Sequence, residues 1–180
     1  AEDQGYDVFG MMWGGVRYLS GDADELNTAI EQMQAVRKAT NLIIAAFIRP
    51  YTPGRSMGGR IIASGRPQLE EVVEIAKSLE GSADIIRMKC AGTATAHPNS
   101  FTQERDNPLM LPFARAIKES GNKIIVCPTG GFHDPALNDE WIASGKTDMV
   151  GMATPFIADP EYVKKLHDRR SDDIAPCIMC

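Results

Sequence analysis

Residues 123–160 read KIIVCPTGGFHDPALNDEWIASGKTDMVGMATPFIADP, and this stretch decides the fold. Ile124–Cys127 and Met149–Met152 are short, mostly apolar runs, as expected for strands covered on both faces. Gly130-Gly131 follows the first run after Pro128-Thr129, and Gly151 sits near the end of the second. The spacing predicts strand, glycine turn, helix, strand, second glycine turn, helix. Backbone N–H groups exposed in such turns, beside helix N-termini, bind anions. Two of them in succession form a cradle for a phosphate. One Gly-Gly pair alone signals only a tight turn; the tandem is the informative feature.

Outward from this stretch, strand and helix signals alternate five times. Tyr6–Trp13 is the first strand candidate, followed by a helix over Ala23–Ala39 with Leu26, Ile30, Met33 and Val36 on one face. Leu42–Ile48 is the second strand, and 51–66, rich in Gly, Pro and Arg, is a long loop. Pro67 opens a helix that Gly81 closes. Asp84–Lys89 is the third strand, 90–107 a second long loop, and Leu109–Glu119 a helix stopped by Gly121. Asp159-Pro160 opens the last helix, Glu161–Arg169. The helix-to-strand connections are short and three strand-to-helix connections are long, which is the asymmetry of parallel barrels that carry function at the C-terminal ends of their strands. Five βα units do not close an eight-stranded barrel, and the chain starts in mid-element and stops on a cysteine. The expectation is therefore an α/β fragment, the last five βα units of a (β/α)8 TIM barrel.

Bulk properties narrow the function. At 180 residues the chain can bury one real core but is shorter than a whole barrel of about 200–250 residues. A net charge of −5, with no basic run, argues against a nucleic-acid surface. No apolar stretch approaches the roughly 20 residues of a membrane span, and the first residues lack signal-peptide order. Of four cysteines, Cys90 and Cys127 read as buried small hydrophobes, while Cys177 and Cys180 form Cys-Ile-Met-Cys. Nothing suggests a secreted disulfide framework, so the cytoplasm is the expected compartment.

The run from Thr129 to Leu166, followed by Asp172-Asp173-Ile174-Ala175-Pro176-Cys177, resembles the closing half of the barrel in the old yellow enzyme family. More narrowly, it is similar to the iron–sulfur branch that includes 2,4-dienoyl-CoA reductase, 2-enoate reductase and the bile-acid-inducible reductases. The resemblance is strong over 123–180, fair over 42–92 and poor over 6–21. It implies a barrel part over 1–170, the start of a cluster-binding segment over 171–180, and FMN at the C-terminal ends of the strands. NAD(P)H would be the reductant and an activated C=C bond of a small unsaturated molecule the substrate.

Residue by residue, the resemblance places Arg49 at the N1/C2=O side of the flavin, where a fixed cation stabilises the anionic reduced form. Gly130 and Gly131 would present amides to the FMN phosphate, with Gly151, Ala153 and Thr154 as the second turn. Thr154 stands where the family usually carries arginine, so a bidentate clamp is absent and one hydroxyl remains; such a loss typically weakens binding by about 1.5–3 kcal/mol. The family's paired histidines after the first strand are replaced by Met-Met-Trp-Gly-Gly-Val-Arg-Tyr. Trp13 or Tyr18 could contact substrate instead, against the ordinary reading of barrel packing for Trp13 and surface for Tyr18. Arg17 offers the same choice. His97 lies in the third strand's loop, as a substrate contact or merely solvated. His133 reads as local to the start of its helix, and His167 as surface.

Cys177 and Cys180 match the first two cysteines of the family's [4Fe–4S] motif, although a lone C-x-x-C could also be half a zinc site or a redox pair. Two other readings stay open: a non-flavin barrel enzyme binding a phosphorylated metabolite, and an inert fragment. Unpaired edges would favour homo-oligomers or completion by the missing barrel half.

Overall fold

The structure is a computed structural model and describes residues 4–12, 23–48, 69–89, 108 and 110–177. Strands β1 (Val8–Met12), β2 (Ile43–Ile48), β3 (Ile85–Lys89) and β4 (Ile125–Thr129) form one parallel sheet in the order β1-β2-β3-β4. Helices α1 (Ala23–Ala39), α2 (Leu69–Ser78) and α3 (Leu111–Glu119) lie between successive strands in the chain, as right-handed βα crossovers require. After β4 come α4 (Pro135–Ala143), α5 (Thr154–Ala158), α6 (Tyr162–His167) and a 3-10 turn at Ser171–Asp173. Consecutive strands pair in sequence order, as in one arc of a parallel barrel.

Strand alternation sorts the sheet into two faces. Ile44, Ala46, Ile86, Met88 and Val126 face the helices and form the main core with Met33, Val72, Ile75, Leu79, Phe113 and Ile117. The other face carries Val8, Ile43 and Ile125, each between 40% and 48% exposed. That is the face the helices leave uncovered, the one an eight-stranded barrel would enclose. Deeper on it, the Arg87 guanidinium lies 4.8 Å from the centre of the Phe47 ring, a cation–π contact, and the register pairs Arg87 with Cys127. Burial pushes the Cys127 thiol pKa up, partly offset by Arg87.

A repeated device closes the N-terminal ends of the strands. Asp84 Oδ2 accepts the Ile44 amide at 2.7 Å and pairs with Arg37. Asp148 Oδ2 accepts the Val126 amide at 2.9 Å, and its Oδ1 accepts Lys118 Nζ at 2.6 Å. Each aspartate precedes one chain segment and staples the strand before it. This is the end of a barrel where side chains serve stability.

Most expected elements are present within a residue or two. One differs. Residues Met149–Met152 run beside β4, with the Met149 amide donating to Val126 and the Gly151 amide to Pro128, yet only Thr129 and Gly151 form a bridge. A full ladder does not form because Pro128 has no amide to donate toward this segment, and no described strand flanks its other side. The last expected helix, Glu161–Arg169, is present as Tyr162–His167, and a short helix with no bounds set by the sequence, Thr154–Ala158, precedes it.

Candidate functional site

The two glycine turns meet at the C-terminal rim of β4. Thr129 Oγ1 donates to the Met88 carbonyl at 2.7 Å, which locks the end of β4 to β3. Gly151 then packs so closely on the Thr129 methyl group that a Cβ there would overlap it. Only glycine permits this approach. The Gly151 amide is already used, donating to Pro128 at 2.8 Å, so this residue gives the turn closeness rather than a donor.

Gly130 and Gly131 have φ of +95° and +88°, values that favour glycine. A Cβ on Gly130 would meet open space, whereas one on Gly131 would lie 3.3 Å from the Pro108 Cβ. The first glycine is thus an open cradle position and the second a packed one. Below them, Phe132 meets Trp141 edge-on at 5.6 Å, and Leu111 completes the cluster with Leu137, Val150 and Met152 against it. The Asn138 amide nitrogen reaches the Met152 sulfur at 3.5 Å, tying α4 to the second turn.

The α4 N-terminus does not serve an anion. Asp134 Oδ1 accepts the Ala136 and Leu137 amides at 2.9 and 3.2 Å, so a carboxylate already caps the helix. A phosphate at this rim would rest on the turn backbone at 130–131 and on the second turn, not on this helix end. Ala153 and Thr154 start α5 as its N-cap and first residue, and Pro155 follows, buried. The open, positive-φ position at Gly130 fits a phosphate group. Lys89, exposed at the end of β3 and in register with Thr129, puts a cation at the same rim. Sequence reasoning passed over it because one lysine at a strand end carries no motif.

Next to the rim lies a cleft of about 600 Å³, lined among others by His133, Asp134, Asp139, Arg169, Asp172 and Cys177. Cys127 and Cys177 are both outside disulfides. His133 is therefore half-buried in a cleft wall, and His167 is exposed, as expected. Tyr162, buried behind His133, donates its hydroxyl to the His133 carbonyl at 3.4 Å and packs edge-on to Phe156. Burial, with Asp134 and Asp139 nearby, raises its pKa above 10.0. Trp13, Arg17, Tyr18, Arg49, Cys90, His97 and Cys180 lie outside the described residues. Among the described residues, no group of three or more His, Cys, Asp or Glu side chains is arranged to hold a metal, and no helix is long and apolar enough to cross a membrane.

The family described as NADH:flavin oxidoreductase / NADH oxidase matches residues 30–173, which include the sheet from β2 onward and both glycine turns. The chain belongs to this family. Membership agrees with the old yellow enzyme resemblance and with the barrel arc. The chain is 26% identical over 169 residues to cinnamate reductase of Clostridium sporogenes, covering 87% of this chain and 25% of that protein. It is 41% identical over 161 residues to dimethylamine dehydrogenase of a Hyphomicrobium species, covering 84% of this chain and 20% of that protein. A solved 2-naphthoyl-CoA reductase complex superposes on 99% of this chain and 29% of its own, with TM-score 0.75 and 21% identity. The chain spans a fifth to a quarter of the length of these curated relatives.

Proposed function

We propose that the chain forms the phosphate-holding arc of an FMN-dependent NAD(P)H oxidoreductase that reduces an activated C=C bond. The observation that carries this reading is the Thr129–Gly151 contact, which brings two glycine turns side by side at the rim of a parallel sheet. FMN, when bound, would supply hydride transfer between the nucleotide and the substrate. Gly130 and Gly131 would receive the phosphate on their backbone, Lys89 would add a charge-assisted contact, and Thr154 would offer its hydroxyl. Arg49 would face the pyrimidine side of the flavin. The net reaction takes NAD(P)H, a proton and the unsaturated substrate to NAD(P)⁺ and the saturated product. Trp13, Tyr18 and His97 are the candidates for substrate contact.

Cys177 and Cys180 would be two of the four thiolates that a [4Fe–4S] cluster needs. The sheet face with Val8, Ile43 and Ile125 exposed would be covered by the remaining barrel strands, and the protein would work in the cytoplasm.

A second reading is favoured by the 41% identity to dimethylamine dehydrogenase: oxidation of an amine substrate on the same flavin scaffold. Anaerobic spectroscopy of the purified protein separates the two. Reoxidation of the reduced flavin by an enoate such as cinnamate supports C=C reduction. Bleaching of the oxidised flavin by dimethylamine, with no response to enoates, supports amine oxidation. Purified protein without flavin absorbance, and unable to take up FMN, contradicts both.

A further inference from the structure

We propose that Asp159, paired with Lys165, is the positioning device that holds Cys177 for metal ligation; the ligand role itself rests on the cluster reading above. Asp159 is only 4% exposed, and the Lys165 side chain only 16%. Charges withdrawn this far from water persist only when partnered. Here the partners are specific. Asp159 Oδ1 accepts the Glu161 amide at 3.0 Å, which sets the start of α6. Its Oδ2 accepts Lys165 Nζ at 2.7 Å and the Ala175 amide at 2.8 Å. Lys165 Nζ donates in addition to the Asp173 carbonyl at 2.9 Å.

The pair therefore grips the chain at 173 and at 175, two residues before Cys177. Packing does little of this work, because Ala175 and Pro176 are exposed and Ile174 is half-buried. The other end of the grip reaches the glycine turns. The Asp159 amide donates to the Pro155 carbonyl at 2.9 Å and closes α5, which begins at Thr154 of the second turn. One residue thus ties the two together: its buried carboxylate holds the cysteine segment, while its backbone amide closes the helix of the second turn. Asp159 and Lys165 are six residues apart, which is not a helical contact spacing, so the sequence pattern does not announce the pair.

The test compares wild type, Asp159→Asn and Ala175→Pro in the full chain. Asp159→Asn removes the charge. Ala175→Pro deletes the amide donor alone, at an exposed position after Ile174, whose ψ of 124° suits a following proline. Alkylation by N-ethylmaleimide is followed in cluster-free protein at Cys177 and at buried Cys127 in the same molecules, alongside bound iron per chain. The proposal expects Cys177 labelling to rise at least about tenfold in both variants, the effect of losing one charge-assisted hydrogen bond, with Cys127 unchanged. Iron retention falls in parallel. Unchanged Cys177 labelling overturns the proposal even if the wild type holds iron, and so does an equal rise at Cys127, which would report general loosening. Faster Cys177 labelling in a protein that never holds iron upholds the positioning role and refutes the cluster. Should Asp159→Asn fail to fold, Ala175→Pro decides.

Discussion

Thr129 and Gly151 are in such close contact that no side chain fits between them, and their backbones form the bridge that joins the two glycine turns. Thr129 is itself fixed, since its hydroxyl is bonded to the Met88 carbonyl. Neither residue can yield without disturbing the end of β4.

Gly151→Ala should therefore destabilise the protein by about 1–3 kcal/mol, the usual cost of overpacking. Chemical denaturation measures it. Thr129→Ser removes the offending methyl while keeping the hydroxyl, so the double variant Thr129→Ser/Gly151→Ala should recover much of the loss. Additive effects of the two substitutions would show that the contact is not the cause.

Gly130→Ala separates strain from binding. Its Cβ meets no neighbour within 4 Å, and only the φ of +95° opposes it, so stability should drop by about 1–2 kcal/mol. The new methyl group would, however, stand in the open cradle. FMN affinity should fall by at least about tenfold, read by quenching of flavin fluorescence. Stability lost with affinity intact would mean that the phosphate lies elsewhere.

Tyr162 gives a test at high pH. Its native pKa is raised, chiefly by burial and then by Asp134 and Asp139, so its contribution to stability is full below its ordinary value of 10.0. That contribution is lost as pH climbs through the higher native value. Ultraviolet titration of the wild type against Tyr162→Phe should show that the substitution removes a tyrosine ionisation lying above 10.0. The same substitution removes the hydroxyl's bond to the His133 carbonyl, at a cost of about 0.5–1.5 kcal/mol.

The barrel arc was legible because its signals are local. The helix over Ala23–Ala39 was predicted with the bounds that the structure has, and the parallel order follows from alternating strand and helix signals. The adjacency of the glycine turns followed from two turns after neighbouring strands. Long-range features were not readable. The strand expected at Met149–Met152 satisfies the apolar pattern, but Pro128 withholds the amide that a ladder would need. The Asp134 cap was hidden in a His-Asp-Pro string that reads simply as a helix start, although Asp before Pro at a first helical position is a signal that could have revealed it. Asp159 before Pro160 marks only a helix start in the sequence, and its bond to Ala175, 16 positions away, leaves no trace in the spacing. Lys89 gained meaning only when the register set it beside Thr129.

The central claim is that the backbone after β4 and the turn through Gly151 hold a phosphate. Its most direct test is parallel titration of the purified protein with FMN and with riboflavin, which differ only by that phosphate. The account predicts FMN binding at least about tenfold tighter, with the difference shrinking in Gly130→Ala and in Lys89→Ala. Equal affinity for the two flavins in the wild type would contradict it.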